Sequence, residues 1–381
     1  MVTYADTLVL ARPRRVAPLI GLPLVRDPRL RCTLVLGDGF TQGFLRQSFA
    51  NVIPSALDNH FPPPADVSYL PTENDGFDLG ELWCEEKWPQ LFRLYVKLGK
   101  PAGREFYQHL AEHERLRPTG MRGAIGYSTT HIGFELRSYL WHFFRAHHFW
   151  MTKAASDSSA WAWKVVLPWI ATHFSLGVVT FNYDLLFELI VQDLLRLGVR
   201  SINPFGTNDE WINTIVNMIP TLKVHGSISH YIKTLLPTSS NPANPWLEEL
   251  TFERTSVADP DFHLDLSMRH FPELPDLIPP GHLGGDWLFA NNVLQMSRHR
   301  LHNSSAVVFC GLSAREPDTG EVEALVESIK DDTTIVQVGL RSQDDDTNDL
   351  ARLLKARNLQ VRFLDAADVS CVPDAISHLY K

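Results

Sequence analysis

Four short stretches carry residue types that can do chemistry, and each closes an apolar run. In GVVTFNYDLLFEL (177–189) a β-branched run ends abruptly in Asn182-Tyr183-Asp184. An amide and a carboxylate two residues apart can orient a water or a hydroxyl and favour developing positive charge. Asp184 equally suits a cap on the helix that follows. His225 closes TLKVHG, where Gly226 gives it room; its ordinary pKa suits proton transfer, and a structural polar contact would use it as well. Gly37-Asp38-Gly39-Phe40-Thr41 follows CTLVLG. Glycines at a strand-to-helix turn let the backbone approach a diphosphate, and the helix N-terminus adds N–H donors; plain turn chemistry needs the same residues. Gly311 and Ser313, after AVVFC, suit the surface of a ribose or phosphate, or a simple turn.

The elements that must position these residues are legible as strands. CTLVLG (32–37), GVVTFN (177–182), TLKVHG (221–226), AVVFCG (306–311), TTIVQVG (333–339) and QVRFLD (360–365) are continuous apolar runs. That pattern belongs to parallel strands covered on both faces. Helical patterns follow most of them: YDLLFELIVQDLLRLG stops at a glycine, and DTGEVEALVESIK runs from acidic to basic, complementing a helix dipole. Strand–helix alternation predicts an α/β fold with a doubly wound, mostly parallel, Rossmann-like sheet. Its ligands sit beyond the carboxyl ends of the strands, where all four stretches lie. Asn182 and His225 are expected to line a cleft there.

The α/β domain is read from residues 31–45, 173–227 and 301–381, behind an N-terminal arm at 1–30. Two segments break the alternation. Residues 46–172 are rich in aromatic helical patterns and read as a large helical insertion. Residues 228–300, with LLPTSSNPANP and FPELPDLIPPGHLGG, read as a second, irregular insertion or lid. The aromatic residues Trp141, Phe143, Phe144, Phe149, Trp150, Trp161 and Trp163 suit an interface or the core of the insertion.

Composition excludes some classes of function. A formal net charge of -9 argues against direct, unaided binding to nucleic acid or an acidic membrane. The arginines of ARPRRVAPLIGLPLV resemble the start of an export signal, but prolines interrupt the apolar stretch and no small-residue cleavage site follows. No apolar run spans a bilayer. Cys32, Cys84, Cys310 and Cys371 are scattered, as expected of reduced thiols in a cytoplasmic protein, and cannot assemble a zinc site. HFFRAHHFW, with His142, His147 and His148, reads as a packed helix and not a metal site.

The order Gly-X-Gly-Phe-Thr, Thr-Phe-Asn-Tyr-Asp, Lys-Val-His-Gly, Gly-Leu-Ser resembles the sirtuin-like (silent information regulator) NAD-binding family, over about a tenth of the chain. That family carries a Gly-Ala-Gly-X-Ser loop, a Thr-Gln-Asn-X-Asp strand end, a His-Gly, and a Gly-Thr-Ser or Gly-Tyr-Ser. The resemblance implies NAD as substrate, with Asn182 and Asp184 facing the nicotinamide ribose and His225 as general base or ribose contact. It implies Gly37, Asp38, Gly39, Phe40, Thr41, Thr180, Gly311 and Ser313 as the cofactor-binding residues. Deacetylating members hold zinc on two Cys-X-X-Cys pairs after the His-Gly; this chain has no cysteine between Cys84 and Cys310. The chain is therefore more similar to the zinc-free branch of NAD hydrolases in bacterial antiphage defence. That branch implies abortive infection by NAD depletion, a homo-oligomer, no metal, and a HerA-type ATPase or short Argonaute-type partner. A protein deacylase, a non-catalytic NAD or ADP-ribose-binding subunit and a defence scaffold remain open as alternatives.

Overall fold

The computed structural model describes residues 30–48, 83–101, 103–115, 132, 135–144, 161–195, 198–201, 218–234, 252–258, 274–277, 288–314, 318–339 and 349–380. The arm at 1–29, His147, His148, Phe149, Trp150 and most of both insertions lie outside the described residues. Seven strands form one sheet: β1 (Arg31–Leu36), β2 (Ser175–Thr180), β3 (Gly198–Ser201), β4 (Met218–Lys223), β8 (Ala306–Cys310), β9 (Thr334–Gly339) and β10 (Val361–Asp365). Their order is β10-β9-β8-β1-β2-β4-β3, and every pairing is parallel. The chain winds outward from β1 through β2 to one edge, then from β8 through β9 to the other. The order reverses between β1 and β8, which is the topological switch point of a doubly wound sheet.

Alternation along the strands gives the sheet two apolar faces. Leu34, Leu36, Val178 and Val308 pack under α1 (Asp38–Ser48), α4 (Trp163–His173), α5 (Leu186–Leu195) and α9 (Val372–Ile376). Val35, Val179, Val307 and Phe309 pack under α6 (Leu288–His302), α7 (Thr319–Glu327) and α8 (Asp349–Ala356). The register levels the strand ends: Leu36 stands beside both Thr180 and Cys310, and Thr180 beside Lys223. Gly37, Phe181, Val224 and Gly311 thus leave the sheet along one line.

The helical insertion joins the first of these cores. α2 (Pro89–Lys97) starts on a proline and buries Leu91 and Tyr95, and α3 (Gly103–Arg115) buries Phe106 and Leu110. Glu135, in the helical residues 135–144, accepts from the backbone N–H of Gln90 and Leu91, an anion at the open N-terminus of α2. Phe143, Phe144, Trp161 and Trp163 are buried, so core packing accounts for these aromatics.

Three features differ from the sequence-based expectation. The short edge strand β3 is absent from it, because four residues carry too little periodicity. Residues 228–300 are not wholly irregular: β5 (Gly226–Thr234), β6 (Phe252–Ala258) and β7 (Leu274–Leu277) form a small antiparallel sheet in the order β6-β5-β7. GSISHYIKT and FERTSVA mix polar and apolar residues without a clean period of two, so neither reads as a strand from its pattern. Helix α6 also begins inside that segment and closes one face of the large sheet. No helix among the described residues is long and apolar enough to cross a membrane.

Candidate functional site

The β1–α1 turn and the loop after β8 press backbone on backbone. Gly37 N–H donates to the Cys310 carbonyl and Gly39 N–H to the Gly311 carbonyl, both at 3.0 Å. A Cβ on Gly37 would stand 2.5 Å from the Gly311 oxygen, and one on Gly311 would stand 2.2 Å from the Phe40 nitrogen. Gly311 also has φ +63°, which disfavours any side chain. The glycines at the switch point therefore let two loops meet. The flanking residues divide: Asp38 turns out and accepts from Gln42, Ser313 is exposed, and Phe40 is buried against Trp161 and Trp163.

Asn182 stands one residue beyond Phe181, half-buried over that turn. Its Nδ2 donates to the Gly37 carbonyl at 3.0 Å and to Thr41 Oγ1 at 3.1 Å. The carbonyl can only accept, so the amide cannot be flipped. Among the described residues the Asn182 oxygen Oδ1 has no partner and is left to accept from a ligand. The Asn182 backbone N–H donates to Thr180 Oγ1 at 3.1 Å.

Asp184 supports this arrangement from beneath. Thr41 Oγ1, fully buried, donates to Asp184 Oδ2 at 2.8 Å while accepting from Asn182. Asp184 Oδ1 accepts from Leu186 N–H at 2.9 Å, so it also caps α5. Burial raises its pKa, partly offset by Lys223 and by these hydrogen bonds. Lys223, which pattern-reading passed over as part of an apolar strand, is buried. Its Nζ donates to the Asp184 carbonyl at 2.6 Å and pairs with Glu188 at 2.8 Å.

His225 is 2% exposed and does not line an open cleft, contrary to the expectation from sequence. The turn after β4 carries it inward, and Gly226, at φ +77°, turns the chain into β5. Its ring lies edge-on to Phe181 and hydrogen-bonds the Phe181 backbone. Nε2 lies 3.4 Å from Glu321 Oε2 and 3.7 Å from Asp318 Oδ1. Burial lowers the imidazole pKa, but the two carboxylates outweigh it and the net shift is upward. Burial raises Glu321 to about 7, opposed by His225 and reinforced by Asp318. One polar atom from each of the three groups lies within 4.8 Å of the other two. Glu321 and Asp318 were legible only as the acidic start of a helix.

The insertion closes over the same place. Trp141 Nε1 donates to the Ile228 carbonyl at 2.9 Å, and Phe144 packs at a tilt against Tyr183 with centroids 5.0 Å apart. Cys32 and Cys310 are buried free thiols whose pKa values burial pushes up to about 12, so neither is a nucleophile. The site thus offers an outward amide oxygen, a buried acid that fixes it through Thr41, and a buried histidine with two carboxylates.

No protein-family model and no curated protein matches the chain. Among solved structures it is similar to Sir2 enzymes. One, from work on their mechanism and regulation, is 10% identical over 92% of this chain and 93% of its own, with a TM-score of 0.35. A Sir2 homologue bound to NAD is 12% identical over 92% and 89%, with a TM-score of 0.33. A Sir2 complex with a p53 peptide and NAD+ is 12% identical over 88% and 95%, with a TM-score of 0.29.

Proposed function

We propose that this protein binds NAD at the carboxyl edge of its large sheet and hydrolyses the nicotinamide–ribose bond. The observation that carries the reading is the Asn182 amide, locked at the switch point with its oxygen turned outward. Water adds to the ribose C1′, the bond from C1′ to the ring nitrogen breaks, and nicotinamide leaves with that electron pair. The transition state is oxocarbenium-like, so positioning and charge stabilisation matter more than a strong nucleophile. Asn182 Oδ1 orients the water or a ribose hydroxyl, and Asp184, through Thr41, holds Asn182 in place. His225 takes the proton from the water, exchanging its bond to the Phe181 backbone for one to the substrate. The turn at Gly37, Gly39 and Thr41, with Asp38 facing out, and the loop at Gly311 and Ser313 border the diphosphate and the adenosine end.

By its resemblance to the zinc-free defence branch, the protein is an NAD-depleting effector of the cytoplasm. It works as a homo-oligomer restrained until a HerA-type ATPase or short Argonaute-type partner senses infection. Nicotinamide release from NAD, followed by chromatography with and without an acetylated peptide, tests the chemistry. Release without peptide is expected. Release only with peptide would make the protein a deacylase, and NAD binding without turnover a sensor.

A further inference from the structure

His225, Glu321 and Asp318 form a buried cluster whose composition the proposed chemistry does not by itself require. Two carboxylates at the start of α7, its N-cap Asp318 and Glu321 of its first turn, approach one imidazole from the turn after β4. Glu321 is only 3% exposed. Apart from a proton shared between the two carboxyl groups, neither Glu321 Oε1 nor Asp318 Oδ1 has a hydrogen-bond donor among the described residues. Burying such groups is unfavourable unless something compensates. The same first turn could have faced these acids to solvent and kept their benefit to the helix dipole.

We propose that Glu321, backed by Asp318, is the positioning residue of His225: it fixes the imidazole at the end of β4 and stabilises the imidazolium that forms when the ring takes a proton. The inference rests on the hydrolase reading for its catalytic meaning, not for its geometry. Three observations converge on it. The Phe181 backbone and Glu321 both hydrogen-bond the ring, so its orientation is set from two sides. The carboxylates lie at 3.4 and 3.7 Å, where an opposite charge raises the basicity of an imidazole. The ring and Glu321 are both almost wholly buried, so bulk solvent screens their interaction little, while Asp318, about a quarter exposed, acts more weakly. The other groups around this cluster do not supply the same effect. Tyr183 and Tyr107 stay neutral, their phenol pKa values raised well above the ordinary value by burial, with Asp318 adding to both. Arg137 acts on Tyr183 in the opposite sense.

The experiment is an NMR titration of the histidine ring carbons in full-length protein, with His225 assigned by comparison with His225→Asn. Wild-type His225 should titrate above its ordinary 6.5, and Glu321→Gln should lower it by about one unit or more. Asp318→Asn should lower it by less, and tests the same point if Glu321→Gln does not fold. In nicotinamide release, Glu321→Gln should move the rising limb of the kcat–pH profile to lower pH while KM stays within about twofold. An unchanged His225 titration in both variants would overturn the proposal. So would one divalent ion per chain, found by elemental analysis and lost in Glu321→Gln, since the three side chains would then be its ligands. If wild-type protein releases no nicotinamide, the hydrolase reading fails alone, because the ring titration still decides what Glu321 does.

Discussion

At the scale of single residues, the site turns on which atoms are already engaged. Asn182 has both amide hydrogens directed into the protein and its oxygen left outward, so Asn182→Ala removes the only part of that side chain a ligand can meet. Nicotinamide release should fall at least about 100-fold, in keeping with the loss of a positioned polar group. The melting temperature should stay close to wild type, since a half-buried side chain is truncated; near-full turnover would refute the assignment. Thr41→Val is the complementary test. It keeps volume but leaves the buried Asp184 Oδ2 without its donor, so stability should drop by about 1–3 kcal/mol in urea unfolding, with activity falling as Asn182 loosens. Asn182, Asp184 and His225 were legible because they close apolar strands. Thr41, Lys223 and Glu321 were not legible in these roles. A threonine in a Gly-rich turn reads as a ligand contact, a lysine within an apolar run is passed over as part of the strand, and a glutamate in a first helical turn reads as a dipole partner.

At the scale of elements, the strand ends were readable and the reason for their glycines was not. Gly37, Gly39 and Gly311 stand where a diphosphate-binding turn would put them, yet their missing side chains make room for each other's backbone. No pattern in one loop announces that a loop 270 residues away will press on it (roughly the separation of the two turns). Gly311→Ala should therefore be far more damaging than an ordinary loop substitution, because positive φ and a 2.2 Å approach act together. A loss above about 2 kcal/mol, or insoluble protein, is expected on expression and chemical unfolding. Glu135 makes the milder case. It closes the N-terminus of α2 from a different helix, and Glu135→Ala should cost about 1 kcal/mol without touching NAD turnover. The small sheet of β5, β6 and β7 was missed because its strands lack a clean period of two and are spaced by long polar and proline-rich stretches. Antiparallel pairing across such separations leaves no local trace.

At the scale of the whole molecule, the buried acids give stability a direction in pH. Glu321, Asp184 and His225 all hold protons more tightly in the folded chain than their ordinary values of 4.5, 3.8 and 6.5 imply. The folded state therefore binds more protons than the unfolded one. The contribution is fully present below the ordinary values and is lost as pH rises through the folded ones, about 7 for Glu321. The melting temperature should fall by about 5 °C between pH 6 and pH 8.5, and by less in Glu321→Gln. A flat profile would mean that the cluster is not charged as its surroundings require. One connection gives the molecule a further property. Ile228, two residues beyond Gly226, donates its N–H to the Tyr183 carbonyl and accepts from the Trp141 indole on its own carbonyl. Its two peptide groups are thus a bearing shared by the strand end that carries Asn182 and Asp184, the inserted helix and the small sheet. A load applied to either appendage is therefore felt at this bearing as well as in the core beneath. Whatever grips those appendages pulls on the hinge of the histidine and the flank of the asparagine at once.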